Sequence, residues 1–111
     1  MPDEFEKEWR YMSKIKPELL NQLCRRINED AIRILQQDGP TEHEKYLQLY
    51  RHLTESDEII SDCFDHWTRS RLWLRLPLLK ANKLLTAEHI SNLHELSQKI
   101  LHTMNESETE E

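Results

Sequence analysis

The chain has 111 residues and a formal net charge of −6, with 32% charged and 37% hydrophobic residues. One glycine and no valine exclude a glycine-rich phosphate loop and argue against a β-sheet fold, because strands favour β-branched residues and their turns favour glycine. Abundant Glu, Leu, Lys, Gln and Arg favour helices, so we expect a single all-α domain with a small hydrophobic core.

The N-terminal part contains two predicted helices. The first is short and amphipathic and covers residues 3–14. Its apolar residues recur at helical spacing and are Phe5, Trp9 and Met12. Pro17 fits the first turn of a new helix, because the N–H that proline lacks would have no partner there. This second helix is expected to run to about residue 37, before the break at Gly39.

The middle of the chain begins with a capping-box pattern, Thr41 followed three residues later by Glu44. Apolar residues then recur at helical spacing, and no second strand exists with which "RSRLWLRLPLL" can pair. We therefore predict one long central helix near residues 57–82. It should be kinked near Pro77, which lacks the N–H of an intrahelical hydrogen bond.

The last part of the chain predicts one more helix and a tail. Asn82 can adopt the left-handed conformation that ends a helix, and Thr86 can cap the next one. Residues 1–104 should form a single four- to five-helix bundle. Residues 105–111 should be a disordered acidic tail, because they have nothing to bury.

Basic residues are concentrated in one segment. Residues 66–87 contain five basic and no acidic side chains, whereas residues 1–65 contain nine basic and fifteen acidic ones. The same segment carries an apolar arc that is wider than one helix face, which indicates burial on more than one side. In a chain this short, one of those sides would belong to another molecule.

This apolar and basic band is the predicted partner-binding site. Tryptophan and arginine are the residues that most often anchor protein interfaces. The predicted contact residues are Trp67, Arg69, Arg71, Leu72, Trp73, Leu74, Arg75 and Leu76. We expect a non-enzymatic regulatory or assembly factor that forms a homodimer, binds another protein, or does both through this band. Core packing with the arginines in solvent stays open as the alternative.

A second hypothesis is nucleic-acid binding through the same band. Five positive charges and two tryptophans can contact phosphates and stack on bases. The net charge of −6 and the acidic tail oppose this hypothesis, and the sequence contains no nucleic-acid-binding signature.

A metal or catalytic site is the third hypothesis. Asp62, Asp65 and His66 lie close together on one predicted helix, beside Cys63. The Glu-x-x-His motif of carboxylate bundle sites is missing, and Cys63-x-x-His66 lacks the second ligand pair that a zinc site needs. We therefore expect no catalytic residue, no metal and no cofactor.

Targeting and membrane signals are not evident in the sequence. The N-terminus is acidic and has no apolar run, and no segment approaches the roughly 18 apolar residues of a membrane span. We expect a cytoplasmic protein without membrane association, in which Cys24 and Cys63 are buried, reduced thiols.

Several short motifs between Leu47 and Ile100 resemble a known family. They are "LQLYRHL", Ile60, Phe64-Asp65, "LL" at 78–79, Asn82 and "LLTAEHI". Their layout is similar to that of the cyanobacterial fluorescence recovery protein family. The resemblance implies a small all-helical dimer that acts on a carotenoid photoprotection protein. The family's conserved Trp, Asp and Arg would fall near Leu47, Arg51 and Asp57, so the resemblance concerns the fold and not the activity.

A second resemblance rests on "WTRSRLW" at residues 67–73, with "KPELL" and "LLTAEH" beside it. The first motif is similar to the Tyr-Leu-Arg-x-Arg-Leu pattern in the helical domain of GINS replication-complex subunits. The Lys-Ile that should follow the arginines is missing, and the chain is too short to include the β-rich domain of a full subunit. Both resemblances imply a non-enzymatic helical protein that works through contacts with other proteins.

Overall fold

A computed structural model describes the backbone of residues 3–110 and the side chains of residues 5–104. Within that part the chain is all-α, as predicted, and contains no strand. Its helices are α1 (Asp3–Leu35), α2 (Glu42–Phe64), α3 (Leu72–Ala81), α4 (Ala87–Ser91) and α5 (Glu95–Glu110), and a 3-10 turn spans Arg69–Arg71. The predicted small bundle of four to five helices is confirmed. The disordered tail at 105–111 stays a prediction, and the backbone of residues 105–110 continues α5.

The N-terminal part forms one helix where the sequence predicts two. α1 continues through Pro17 without interruption. Proline removes the N–H that would bond the Ser13 carbonyl, but the helix buries the same face on both sides of it. That face places Met12, Leu19 and Leu23 in the core. Tertiary packing therefore outweighs the local break that proline favours.

α1 and α2 form an antiparallel hairpin. Gly39 turns the chain between them with φ of 104°, a conformation that residues with a Cβ rarely adopt. The Glu44 N–H donates to the Thr41 hydroxyl at 3.1 Å and so caps the start of α2, which is one of the two bonds of the predicted capping box.

Two hydrogen bonds tie the hairpin together along its length. The Gln37 side chain donates from Nε2 to Gln48 Oε1 at 2.9 Å near the turn. Farther along, His52 Nε2 lies 2.9 Å from the Ile27 carbonyl oxygen. The bonded pair near the turn is closer in sequence than the pair farther from it, as two antiparallel helices require.

The predicted long helix over residues 57–82 is wrong as a continuous element. α2 ends at Phe64, residues 65–68 are not helical, and α3 begins only at Leu72. Pro77 lies inside α3. The band that the sequence places on one helix therefore spans a connection, a 3-10 turn and a ten-residue helix.

Local backbone chemistry explains why α2 ends where it does. His66 has φ of 54°, the left-handed conformation that histidine adopts more readily than most side chains. Before it, the Asp65 N–H donates to the Ser61 carbonyl at 2.9 Å, and Ser61 Oγ donates to Asp65 Oδ2 at 2.7 Å. The last turn of α2 is thus closed without glycine or proline, which is why the sequence gives no clear stop signal.

The end of α3 differs from the prediction by one residue. Lys83, with φ of 57°, takes the left-handed conformation expected of Asn82, whose own φ is −90°. The Leu84 N–H then donates to the Leu79 carbonyl at 3.0 Å, a helix-closing bond between residues five positions apart. The Asn82 side chain adds a 2.8 Å bond from Nδ2 to the Leu78 carbonyl.

The predicted last helix is divided into α4 and α5. Thr86 caps α4, because its hydroxyl accepts the His89 N–H while His89 Nδ1 accepts the Thr86 N–H, both at 3.1 Å. The core lies between α1, α2, α3 and α5. Its buried apolar residues are Met12, Leu19, Leu23, Cys63, Phe64, Leu72, Leu76, Leu79, Leu84, Leu93 and Leu101.

Candidate protein-interaction surface

The predicted band is divided between core and surface. Leu72 and Leu76, one helical turn apart, are both buried in the core. Trp73 and Leu74 lie between them in sequence and are 67% and 41% exposed. Successive residues of a helix are about 100° apart, so these two side chains leave the buried face. Of these four residues, only Trp73 and Leu74 are therefore accessible to another molecule.

Trp67 is engaged within the chain itself. Its Nε1 donates to Ser13 Oγ at 3.2 Å, and Lys16 Nζ lies 5.1 Å from its ring centroid. The ring also packs against Trp9 and Phe64, with centroid distances of 6.2 and 6.1 Å. Through these contacts Trp67 packs the segment that connects α2 and α3 against α1.

Arg69 is also engaged within the chain. Its Nη2 lies 2.7 Å from Glu6 Oε1, and the same oxygen lies 3.4 Å from Arg10 Nε. All three side chains contact solvent, so these pairs contribute little to stability. They neutralise Glu6 at the edge of the cleft described below.

The two remaining arginines of the band have different environments. Arg75 is half-buried: its Nη1 donates to the Asp62 carbonyl at 3.1 Å, and its Nε is buried without a partner. Arg71 is exposed and has no ion-pair partner among the described side chains. Arg71 is therefore the arginine most available to an acidic partner.

A cleft of about 540 Å³ opens between the first turns of α1 and the start of α3. Phe5, Trp9, Trp73 and Ser97 are among its lining residues. Phe5 stacks on the His94 ring at a centroid distance of 4.1 Å and stays half exposed. The volume is large enough to accept a bulky side chain.

Phe5 and Trp73 line this cleft, and Arg71 and Leu74 are exposed residues close to Trp73 in the chain. We call these four residues the α3 face. Phe5 and Trp73 provide its apolar centre beside the open cleft, which Glu6, Glu8 and Arg69 also line, and Arg71 is its one basic member. The structure thus brings two elements together that are far apart in the sequence, the start of α1 and the start of α3. Phe5 is part of this surface although the sequence places it only on a short amphipathic helix.

Glu8 is a structurally important residue that does not stand out in the sequence. It is buried, and its two carboxylate oxygens accept the His94 N–H at 2.7 Å and the Ser97 hydroxyl at 3.1 Å. The free N–H groups and the dipole at the start of α5 favour an anion there. No local sequence pattern distinguishes it from the exposed glutamates of α1, such as Glu18.

The residues of the predicted metal hypothesis do not assemble into a site. Among side chains 5–104 no group of three His, Cys, Asp or Glu residues is positioned to hold a metal ion. Cys63 is buried, and this burial raises the pKa of its thiol, with the Asp62 carboxylate acting in the same direction. A raised pKa keeps the thiol protonated at neutral pH and therefore weakly nucleophilic.

Comparison with known proteins does not add to this description. No family model, no curated protein and no solved structure matches the chain. Within the described residues, none of the helices has both the length and the apolar character required to cross a membrane.

Proposed function

We propose that the chain is a non-enzymatic interaction module, a regulatory or assembly factor, that binds an acidic amphipathic helix of another protein at the α3 face. The observation that carries the proposal is Trp73, which keeps 67% of its surface exposed beside an open cleft. Tryptophan is strongly enriched among the residues that dominate binding energy. Phe5, which is half exposed, lines the same cleft, and adjoining exposed apolar groups of this kind mark interaction sites.

The chemistry of the partner follows from charge. Arg71 lies between the cleft-lining residues Ser70 and Leu72 and is exposed, whereas Arg69 is paired with Glu6, so Arg71 is the group that attracts a carboxylate. An apolar side chain of the partner would enter the cleft between Phe5 and Trp73, while its acidic residues contact Arg71. A helix with one apolar and one acidic face supplies both groups.

The proposed place of action is the cytoplasm. Cys24 and Cys63 are both free thiols in the structure, which suits a reducing compartment. The family resemblances described above imply the same class of function, a helical protein acting through other proteins.

The test is site-specific crosslinking in a lysate of the source cells. A photoreactive phenylalanine analogue replaces Leu74, and mass spectrometry identifies the crosslinked peptide. We expect an apolar and acidic helical segment whose capture falls at least tenfold in Trp73→Ser. A synthetic peptide of that segment should bind the unmodified chain and lose at least tenfold in affinity to Leu74→Asp.

Leu47→Asp is the matched control, because Leu47 is a half-exposed leucine on α2. It should bind the peptide like the unmodified chain. A captured segment that is basic, or binding that is equal in all variants, would contradict the proposal. Capture that disappears on nuclease treatment and weakens steeply with salt would instead support nucleic-acid binding.

A further inference from the structure

The α1–α2 hairpin has a second apolar surface, on the side away from α3. The starting point is the seam, the line along which the two helices meet. Seam positions on α2 recur at alternating spacings of four and three and are Lys45, Leu49, His52, Ser56 and Ile59. Those on α1 are Leu23, Ile27, Asp30 and Ile34. All nine are buried or half-buried.

The residues that follow each seam position by one lie about 100° farther around their helix. Because α1 and α2 are antiparallel, this rotation brings both sets to the same side of the hairpin. Most of them are apolar, and we call the following six the hairpin face: Cys24, Ala31, Leu35, Tyr46, Tyr50 and Leu53.

α3 covers the opposite side of the hairpin. Arg26, one residue before a seam position, donates to the carbonyl oxygens of Asn82 and Lys83 at 2.8 and 2.7 Å. The contact between Arg75 and the Asp62 carbonyl lies on that same side of α2. The hairpin face therefore stays open: Tyr46 and Tyr50 are 60% and 66% exposed.

We propose that the hairpin face binds a second copy of this chain, so that two hairpins form a four-helix bundle. This inference goes beyond the proposed function, because it uses a different surface and a different partner. It also places the contact of the predicted homodimer on the hairpin face instead of the apolar and basic band.

Charge favours a second copy at this surface. Of the nine positions that follow the seam, only Asp57 is charged, in a chain with 32% charged residues. Two copies can therefore meet there with little like-charge repulsion.

The single charge also has a complementary partner in an antiparallel contact. If two α2 helices cross at Tyr50, each Asp57 lies opposite His43 of the second copy, since both are seven residues from the centre. His43 is exposed and one turn from Tyr46 on α2. An isologous dimer repeats this contact twice.

The exposed area approaches what a stable dimer needs. The exposed parts of Leu35, Tyr46, Tyr50 and Leu53 come to roughly 500 Å² per copy, against about 800 Å² per partner in a standard interface. The half-buried side chains of Cys24, Ala31 and Ile60, together with the polar rim, supply the remainder.

The test is the molar mass of the full chain by light scattering at tens of micromolar. We expect a mass of two chains of 13.5 kDa each, which Tyr50→Glu reduces to one. Leu74→Asp is the matched control: it adds a negative charge to an exposed apolar site on α3 and should leave the dimer intact. This variant also keeps the two proposals apart, because loss of partner binding at the α3 face does not change the mass.

A second measurement covers the case in which Tyr50→Glu does not fold. The alkylation rate of Cys24 in the unmodified chain should fall several-fold from submicromolar to high concentration, as the dimer covers it. A monomer at all concentrations overturns the proposal. It is also overturned if Leu74→Asp dissociates the dimer and Tyr50→Glu does not, or if Cys24 reacts equally at both concentrations.

Discussion

The carboxylate of Glu8 accepts the backbone N–H of His94 at 2.7 Å, across 86 positions of sequence. Its other oxygen accepts the hydroxyl of Ser97. One buried side chain on α1 thus satisfies two donors at the start of α5. The first turns of α1 and the start of α5 are held together by this carboxylate.

Glu8→Ala should lower the free energy of unfolding by about 2–3 kcal/mol, because two half-buried donors lose a charged acceptor. Glu8→Gln should cost less, since its amide oxygen still accepts one of the two bonds. Urea unfolding followed by circular dichroism measures both. Glu18→Ala, at an exposed position of the same helix, is the control. If Glu8→Ala loses no more unfolding free energy than Glu18→Ala, the two hydrogen bonds of Glu8 contribute nothing.

Leu76→Ala and Leu74→Ala test whether the apolar and basic band is divided into core and exposed residues. Leu76 is in the core, so its truncation should cost about 2–5 kcal/mol of unfolding free energy. Leu74 is 41% exposed, and the same truncation should cost less than about 1 kcal/mol. Thermal unfolding under identical conditions compares the two. Similar losses would mean that both side chains are core.

Pro17→Ala should stabilise the chain. Pro17 is exposed inside α1, and alanine restores the N–H that the Ser13 carbonyl lacks while improving helix propensity. We expect a gain of about 1–3 kcal/mol in the free energy of unfolding. A loss of stability in urea unfolding would indicate that the proline shapes α1 in a way that its packing requires.

Cys63 should resist alkylation by iodoacetamide at pH 8 while Cys24, in dilute solution, reacts. Cys63 is fully buried, and burial raises the pKa of its thiol, so less reactive thiolate is present. In denaturant both thiols should react. Mass spectrometry of the digested chain locates the label, and labelling of native Cys63 at the rate of Cys24 would contradict the prediction.

The same raised pKa gives a sign to the pH dependence of stability. The folded state favours the neutral thiol, so the stabilisation is complete below the ordinary pKa of cysteine, about 8.5. It is lost as the pH rises through the raised value. The unfolding free energy of the unmodified chain should therefore fall more steeply at alkaline pH than that of Cys63→Ala.

Helix content could be predicted from the sequence because it depends on residue type and spacing over many positions. The exact ends of the helices could not, since they depend on single residues. α2 ends at Phe64, and two residues later His66 takes a left-handed conformation without a glycine, next to Trp67, which contacts α1. α1 continues through Pro17 because packing on both sides compensates for one missing bond.

The predicted site was harder to resolve for a related reason. A sequence pattern shows that Leu72, Trp73, Leu74 and Leu76 form a wide apolar arc, but not which part of the arc the rest of the chain covers. That depends on long-range contacts, such as those of α3 with α2 and α5. Glu8 could not be recognised either, because a buried glutamate has the same local pattern as an exposed one.

The molecule is elongated, with extents of 59 × 31 × 20 Å. α3, which carries the α3 face, and the hairpin face lie on opposite sides of the hairpin. A dimer formed through the hairpins would therefore present two α3 faces that point away from each other. Such an assembly is bivalent: it can bridge two partner molecules or grip a repeated segment at two places. Once one site is occupied, the second binds at a high effective concentration, so weak individual contacts suffice for a long-lived complex.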